Sequence, residues 1–494
     1  MRTLHAATIG VTCAAALTLS LAASTPALSV APAAVAPTAD PPGSTQSLPL
    51  VPLTENRAAG ETSAVVPQGL TPKEVKPFSL LGVVWDDAAA ELPGTVEVRT
   101  RATSTARWSG WQSVETHNDE HAAEPGTPEA EAASVRGATA PLWVGASDAV
   151  EVRVRPAGTD LFGRAAEPAA LPKGLRLELV DPGADPAPVT TSTVPGVQTA
   201  AAGTAVTGTA TTGEADKTGT GTAVPPDTDT ADVAVLPALS RAQTIADAQA
   251  RGLGLPAEPE GQDGASDRTG QDDQSGEAAD SPRAGAAVAA AKPYIGPRPG
   301  IITRKGWGAD ESLRERQFAY TTTVKAAFVH HSATGNNYTC SQSASILRGI
   351  YRYHVKSNGW RDIGYNFAVD KCGNIYEGRA GGVTRAVLGA HTLGFNTNTM
   401  GIAVLGSFAS TNPPTAAVNA VAKLTAWKLG LFGINPKGTV TLVSGGGNRY
   451  KKGSSVKMNA ISGHRDGFAT ECPGARLYKK LGTTRTTSAR LQGR

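Results

Sequence analysis

The sequence predicts two folded domains of different class. An all-β domain, read as sandwich-like, covers residues 76–182, and an α/β domain covers 294–482, with a long disordered linker between them. Three observations carry this. Short stretches alternate apolar and polar residues over 76–182. Phe, Trp and Tyr are absent between Phe162 and Tyr294. Strand-like and helix-like patterns then mix from Tyr294 onward. Alternation with period two marks half-buried strands, and a segment poor in large apolar residues cannot offset its chain entropy.

The chain opens with Arg2 and an uncharged apolar run from Ala6 to Ala23, followed by small residues. This reads as a signal peptide over 1–29. No later segment is apolar for long enough to span a bilayer, so no integral membrane segment is expected after its removal. Residues 30–75, rich in Ala, Pro and Thr, read as a disordered leader. In the all-β domain the strand candidates are Phe78 to Trp85, Thr95 to Arg101, Val150 to Arg155 and Leu175 to Val180. Trp85, Trp108, Trp111 and Trp143 suit core packing better than sugar binding, since aromatics dominate small cores. Residues 183–293 are a disordered linker with acidic residues around Asp263 to Asp280. A single weak helix is expected at Ser240 to Arg251.

In the α/β domain, Val324 to Val329 and Met400 to Leu405 read as buried strands. Ser341 to Lys356 carries Ile346, Ile350, Tyr353 and His354 at helical spacing. Two strands around Lys371-Cys372-Gly373 predict a hairpin, and Pro413-Pro414 start a helix to Leu431. Gly438 to Leu442 and Val456 to Asn459 complete the strands. Residues 483–494 read as a frayed basic tail.

The net charge of +3 hides an asymmetry. From Ile301 on there are 26 Lys and Arg against 8 Asp and Glu, out of 46 and 43 in the whole chain, so the C-terminal part carries +18 and the rest −15. A basic domain suits an anionic partner. That partner could be nucleic acid, anionic cell-wall polymer or a membrane surface, and charge alone does not choose among them; an exported chain without a nucleic-acid motif argues against nucleic acid. Loss of the signal removes Cys13 and leaves Cys340, Cys372 and Cys472. The simplest account of this odd number is a Cys340–Cys372 disulfide with Cys472 on a metal; three unrelated buried thiols are the alternative.

The stretch Gly463-His464-Arg465-Asp466-Gly467-Phe468-Ala469-Thr470-Glu471-Cys472-Pro473-Gly474 sets a histidine and a cysteine eight positions apart, both good zinc ligands. A third ligand is sought in Phe328-Val329-His330-His331-Ser332. Neighbours on a strand face opposite ways, so only one of the two histidines can serve, and alternation does not choose between them. Three protein ligands leave the fourth position open, as catalytic zinc requires.

These residues carry a resemblance. Arg304-Lys305-Gly306-Trp307-Gly308-Ala309, Val329-His330-His331-Ser332, Asp362-Ile363-Gly364-Tyr365-Asn366-Phe367, Ile375-Tyr376-Glu377-Gly378-Arg379 and Gly389-Ala390-His391-Thr392 occur in this order, ending in Gly463 to Gly474. Over about residues 300–482 the chain resembles the peptidoglycan recognition protein family, which shares its fold with the zinc-dependent type-2 N-acetylmuramoyl-L-alanine amidases. The resemblance implies a mixed central β-sheet flanked by helices, and zinc (Zn2+) on His330, His464 and Cys472. It implies Tyr365 and Thr470 as catalytic residues and His391 as a groove residue in contact with substrate; Arg379 and Arg385 are read separately as partners of a stem-peptide carboxylate, since Arg suits bidentate carboxylate recognition. It further implies a secreted or cell-wall-associated hydrolase that cuts between the lactyl group of muramic acid and L-alanine, with peptidoglycan as partner. Many family members bind without cutting, and those typically lack the cysteine; its presence here favours catalysis. Some relatives carry a glutamate on the strand that here reads Ile402-Ala403-Val404-Leu405, which has no carboxylate, so the resemblance assigns no general base. Glu377 and Asp466 are read as structural, Asp466 as a support for a ligand histidine. Nothing in it extends to residues 1–299, although secreted actinobacterial amidases often carry such a front half.

Overall fold

A computed structural model describes residues 43–53, 66–116, 120–157, 169–185, 233–255 and 293–494. The signal peptide, and the disorder expected over most of the leader and linker, lie outside the described residues.

The N-terminal domain is all-β, with strands β1 (Ser44–Pro49), β2 (Val51–Pro52), β3 (Gln68–Trp85), β4 (Gly94–Ala102), β5 (Gln112–Val114), β6 (Gly137–Ala138), β7 (Leu142–Pro156) and β8 (Arg176–Asp181). The hydrogen-bonded order is β1-β8-β3-β7-β4-β5, with β2 and β6 also on β3. Each strand candidate of the sequence lies within one of these strands, except that Leu175 falls just before β8. The inward residues Val96, Val98, Val150, Val152, Val154, Leu177 and Leu179 form one core. The leader expected over 30–75 needs correction. Its Ser44–Pro49 stretch pairs antiparallel with β8, and β3 begins at Gln68. Backbone pairing rather than an apolar pattern holds these residues, since the first half of β3 is mostly exposed.

The C-terminal domain is built on a mixed sheet of β9 (Val235–Leu236), β10 (Ile301–Ile302), β11 (Ala326–His331), β12 (Phe367–Val369), β13 (Ile375–Glu377), β14 (Thr399–Val404) and β17 (Ile461–Gly463), ordered β17-β11-β14-β12-β13-β10-β9. Strand β11 runs parallel to both β14 and β17, and β12 and β13 form the expected antiparallel hairpin. A separate ribbon joins β15 (Thr439–Val443) and β16 (Ser455–Asn459). Buried along their whole length, β11 and β14 carry the apolar runs Ala326 to Val329 and Met400 to Val404. The helices are α1 (Arg241–Ala250), α2 (Arg304–Trp307), α3 (Ser343–Arg352), α4 (Thr415–Leu431), α5 (His464–Gly467), α6 (Ala475–Tyr478) and α7 (Leu481–Gln492). A π-helical turn, Tyr353–Ser357, extends α3. No helix among the described residues is long and apolar enough to cross a membrane.

Two boundaries change. The linker expected over 183–293 holds the expected helix as α1 and also β9, both docked on the sheet: β9 pairs with β10, and Asp247 meets the Arg298 guanidinium at 3.2 Å. The tail over 483–494 is helix α7. Polar contacts fix it to α4, with Thr425 Oγ1 and Ser488 Oγ at 3.0 Å and Gln492 Nε2 donating to the Ala426 carbonyl at 3.0 Å. An apolar periodicity would not reveal such a helix.

The two domains share a core. Leu80, Val84, Trp143 and Val180 pack with Ile346, Leu347, Ile350 and Tyr353 of α3 and its π turn. Gly82 is glycine for a steric reason, since a Cβ there would lie 2.2 Å from the Tyr353 hydroxyl. That hydroxyl donates to the Thr139 carbonyl at 3.1 Å. Arg348 donates to the Pro182 carbonyl and to Asp185.

Cys340 and Cys372 form a disulfide with a Cα–Cα distance of 6.2 Å across a sequence separation of 32. It ties the start of α3 to the β12–β13 turn. Replacing both by alanine is expected to cost about 3–4 kcal/mol on the chain-entropy account. Urea unfolding of the double variant, compared with the oxidised parent, measures this. An unchanged midpoint would contradict it.

Candidate metal centre

Parallel pairing places the first two ligands. Phe328 lies opposite Ser462 and Val329 opposite Gly463, so the next residues, His330 and His464, lie side by side where the two strands end. Their rings are 4.5 Å apart. His330 continues the face of Phe328, as alternation requires. Asp466 Oδ2 accepts the Gly463 N–H at 2.9 Å and Oδ1 accepts the Tyr478 hydroxyl at 2.6 Å. Asp466 therefore caps α5. It does not support a ligand ring, which corrects the expectation above. The loop after α5 returns Cys472 to the site, where its Sγ is 3.8 Å from His330 Nδ1. The Cys472 N–H donates to Thr470 Oγ1 at 3.0 Å.

The remaining site residues are set by the β12–β13 hairpin. The Arg379 N–H donates to the Tyr365 carbonyl and Gly378 N–H to that of Asn366, which carries the hairpin ladder past β12. Asp362 accepts the Ala380 N–H at 2.9 Å and the Arg304 guanidinium at 3.1 Å. The Arg304 N–H in turn donates to Glu377, whose carboxyl burial pushes up to about 7. The Tyr365 ring lies 5.5 Å from His330. His354 is buried, stacks on Trp360 at 4.5 Å and accepts the Gly364 N–H at 3.1 Å, and so steadies the chain just before Tyr365. His391 is fully buried behind His330, with ring centres 5.3 Å apart. It is clamped between Gly389 and Gly401, where added Cβ atoms would lie 2.5 and 2.4 Å from its ring. Arg385 packs over Tyr320.

Sequence reasoning missed the group that completes this site. Residues 120–136 leave the all-β domain between β5 and β6 and lie across the C-terminal domain. His121 stands beside His464 and His330, at 4.5 and 5.2 Å between ring centres, and beside Tyr365 at 5.7 Å. The ligand atoms of His121, His330, His464 and Cys472 all lie within 4.8 Å of one another, and all four residues are buried. Glu120 Oε1 accepts the Thr470 hydroxyl at 2.6 Å. Glu124 accepts the N–H groups of Gly394 and Asn396 at 3.0 and 2.7 Å. Glu129 holds Arg379 in a two-pronged ion pair at 2.8 and 2.7 Å, both side chains buried. A signal existed. Of the eight histidines only His5, His117 and His121 precede residue 300, and the last two stand among acidic residues in one short stretch.

The donor set fits a zinc ion. Two or three imidazoles and a thiolate are its usual ligands, at about 2.0–2.3 Å. Among the described residues neither ring nitrogen of His121 or of His464 has a well-formed hydrogen bond, although the Glu120 backbone approaches His464. Buried polar atoms are rarely left so, and a cation among them explains it. Burial holds His330 and His464 well below the ordinary histidine range, with neighbouring histidines adding to the effect. Both are thus neutral and able to ligate. Burial pushes the Cys472 thiol up, as expected without the cation that would reverse it. Burial, then the nearby Cys472 and Glu120, hold the Tyr365 phenol protonated at neutral pH.

Comparison with known proteins gives two family matches. Residues 320–475 match the family described as N-acetylmuramoyl-L-alanine amidase, and residues 32–193 match the Rv3811 N-terminal galactose-binding domain-like family. Peptidoglycan-recognition protein SC2 of Drosophila melanogaster is 33% identical over 185 residues, 37% of this chain and 85% of the relative. The human N-acetylmuramoyl-L-alanine amidase is 31% identical over 189 residues, but this spans only 28% of that protein. A solved structure of Drosophila PGRP-LB aligns with 37% of this chain and 92% of its own at 26% identity, with a TM-score of 0.30. The family match makes the C-terminal domain one of the amidase type. The chain belongs to the peptidoglycan recognition protein and type-2 amidase family.

The buried histidines make stability depend on pH. Burial lowers His391 to about 3, and lowers His354 well below its ordinary value. In the unfolded chain both titrate near 6.5. As pH falls below about 6.5 the unfolded state takes up protons that the native state refuses, so stability falls by about 1.4 kcal/mol per pH unit for each such group. Urea midpoints of the metal-free protein should therefore drop between about pH 7 and pH 5. A flat profile would contradict the burial of neutral rings.

Proposed function

We propose that the protein is an exported zinc-dependent N-acetylmuramoyl-L-alanine amidase. It cleaves the amide between the lactyl group of muramic acid and L-alanine in peptidoglycan. The observation that carries this reading is the convergence of His330, His464 and Cys472 beside Tyr365. A thiolate and two imidazoles form a site with room for one more ligand, the arrangement that hydrolysis needs. The human relative bears the name of this activity. The basic C-terminal domain suits an anionic wall, and the sequence signals for export fit a wall substrate.

His330, His464 and Cys472 hold the ion, which when bound supplies Lewis acidity to water and to the scissile carbonyl. Tyr365, kept protonated by burial, donates its hydroxyl proton toward the oxygen that gains charge as the amide is attacked. Thr470 fixes Cys472 through the Cys472 N–H, and its hydroxyl offers a second donor once it leaves Glu120. Arg379 presents two parallel N–H groups, the geometry that a stem-peptide carboxylate matches. His391 sits behind His330 and orients it from the buried side through Thr392, whose Oγ1 lies 3.0 Å from His391 Nδ1 and 3.4 Å from His330 Nε2. No substrate group reaches His391 in the arrangement seen, since the ring is wholly enclosed.

Purified peptidoglycan incubated with the zinc-loaded full chain should release new L-alanine amino termini while the glycan strands stay intact. A chelator or Cys472→Ala should abolish this. Wall binding without any release under zinc, by the full chain and by His121→Ala alike, would make the protein a recognition module instead. Tyr365→Phe should lower kcat by about 10²–10³-fold with zinc stoichiometry unchanged. A rate equal to the parent's would remove Tyr365 from the mechanism.

A further inference from the structure

We propose that His121 is a fourth protein ligand of the metal centre, and that residues 120–136 hold the hydrolase in a latent form. This rests on the metal reading above. Three kinds of observation carry it. The first is position. A ligand atom of His121 lies within 4.8 Å of those of His330, His464 and Cys472, and both its ring nitrogens are buried with no well-formed partner among the described residues. Four protein ligands make a closed centre, and three leave the open position on which hydrolysis depends. His121 therefore takes the place that water needs.

The second is what surrounds it. The same segment sets a carboxylate on two of the groups the mechanism uses, Arg379 and Thr470. Glu129 takes both prongs of Arg379, and Glu120 takes the Thr470 hydroxyl. Glu124 takes the N–H groups of Gly394 and Asn396, and the Leu393 N–H donates to the Glu120 carbonyl. A stem-peptide carboxylate and the segment thus compete for one donor pair. The third is burial and charge. Cys472, His330 and His464 are 0% exposed and Tyr365 is 5% exposed, so substrate cannot reach them while the segment is in place. An acidic strip on a basic domain is also favoured at long range.

Beyond the Leu393–Glu120 contact at its start, the segment is held to the C-terminal domain where it ends. Ser134 Oγ donates to the Gly359 carbonyl, and Arg136 N–H to that of Asn358. Displacement exchanges His121 for a water at the ion and frees Arg379 and Thr470 together. No covalent bond is made or broken.

The test uses the full chain carrying one equivalent of zinc. Zinc X-ray absorption should report one sulfur and three imidazoles. His121→Ala should report one sulfur, two imidazoles and an oxygen. A latent form holding more than about 90% of the molecules lowers the apparent rate about tenfold, so His121→Ala should release L-alanine termini from peptidoglycan at least that much faster. A second variant, Glu120→Gln with Glu124→Gln and Glu129→Gln, keeps the ligand but weakens the segment's hold, and should also be faster than the parent. Two imidazoles and an oxygen in the parent, unchanged by His121→Ala, would overturn the proposal, as would a parent that takes up no zinc. Loss of one imidazole with no hydrolysis by any variant would uphold His121 as a ligand and sink the amidase reading instead.

Discussion

The structure depends on one register. Parallel pairing of β11 with β17 sets Val329 opposite Gly463. The residues that follow are the two histidines, so a slip of one position would turn His330 to the other face and separate the pair. Everything else secures this junction. Strand β14 supports β11 from the other side, and α4 packs beneath both. The Asp466 cap fixes the turn out of β17, and the chain then returns with Cys472. Ligands 142 positions apart in sequence meet because two buried strands admit only one alignment.

Such a cluster is costly to bury. Imidazoles and a thiol stand together in a dry interior, and all are pushed towards neutrality. Buried polar groups without partners oppose folding. The shared hydrophobic core between the two domains supplies the offsetting stabilisation and fixes where the all-β domain can stand. With that position fixed, the excursion between β5 and β6 has little choice but to cross the site. The N-terminal domain is thus tied to the chemistry by packing and by four carboxylates, counting Glu115 beside His331 at 3.5 Å.

Much of this was legible in the sequence, and the reasons differ by element. The alternation of Val96 to Arg101 and the unbroken apolar run of Met400 to Leu405 give strands because each pattern reports one mode of burial. The hairpin around Cys372 and the helix after Pro414 follow from turn and cap chemistry. Strand β1 and helix α7 were hidden. The first is held by backbone pairing and the second by Thr, Ser and Gln contacts, neither of which leaves an apolar period. The three ligands suggested by family motifs do meet in space. Arg379 and Thr470 meet acidic partners from the chain itself, and His391 is enclosed. His121 escaped notice because it lies in a loop of another domain, where spacing along the chain carries no information about what lies across from it.

The most direct measurement is anomalous diffraction at the zinc edge from crystals of the full chain grown with zinc. The account requires one strong peak enclosed by His330, His464 and Cys472, close to the His121 ring. No peak there, or zinc bound only elsewhere, would contradict the assignment of this cluster as the metal centre and with it the chemistry built on it.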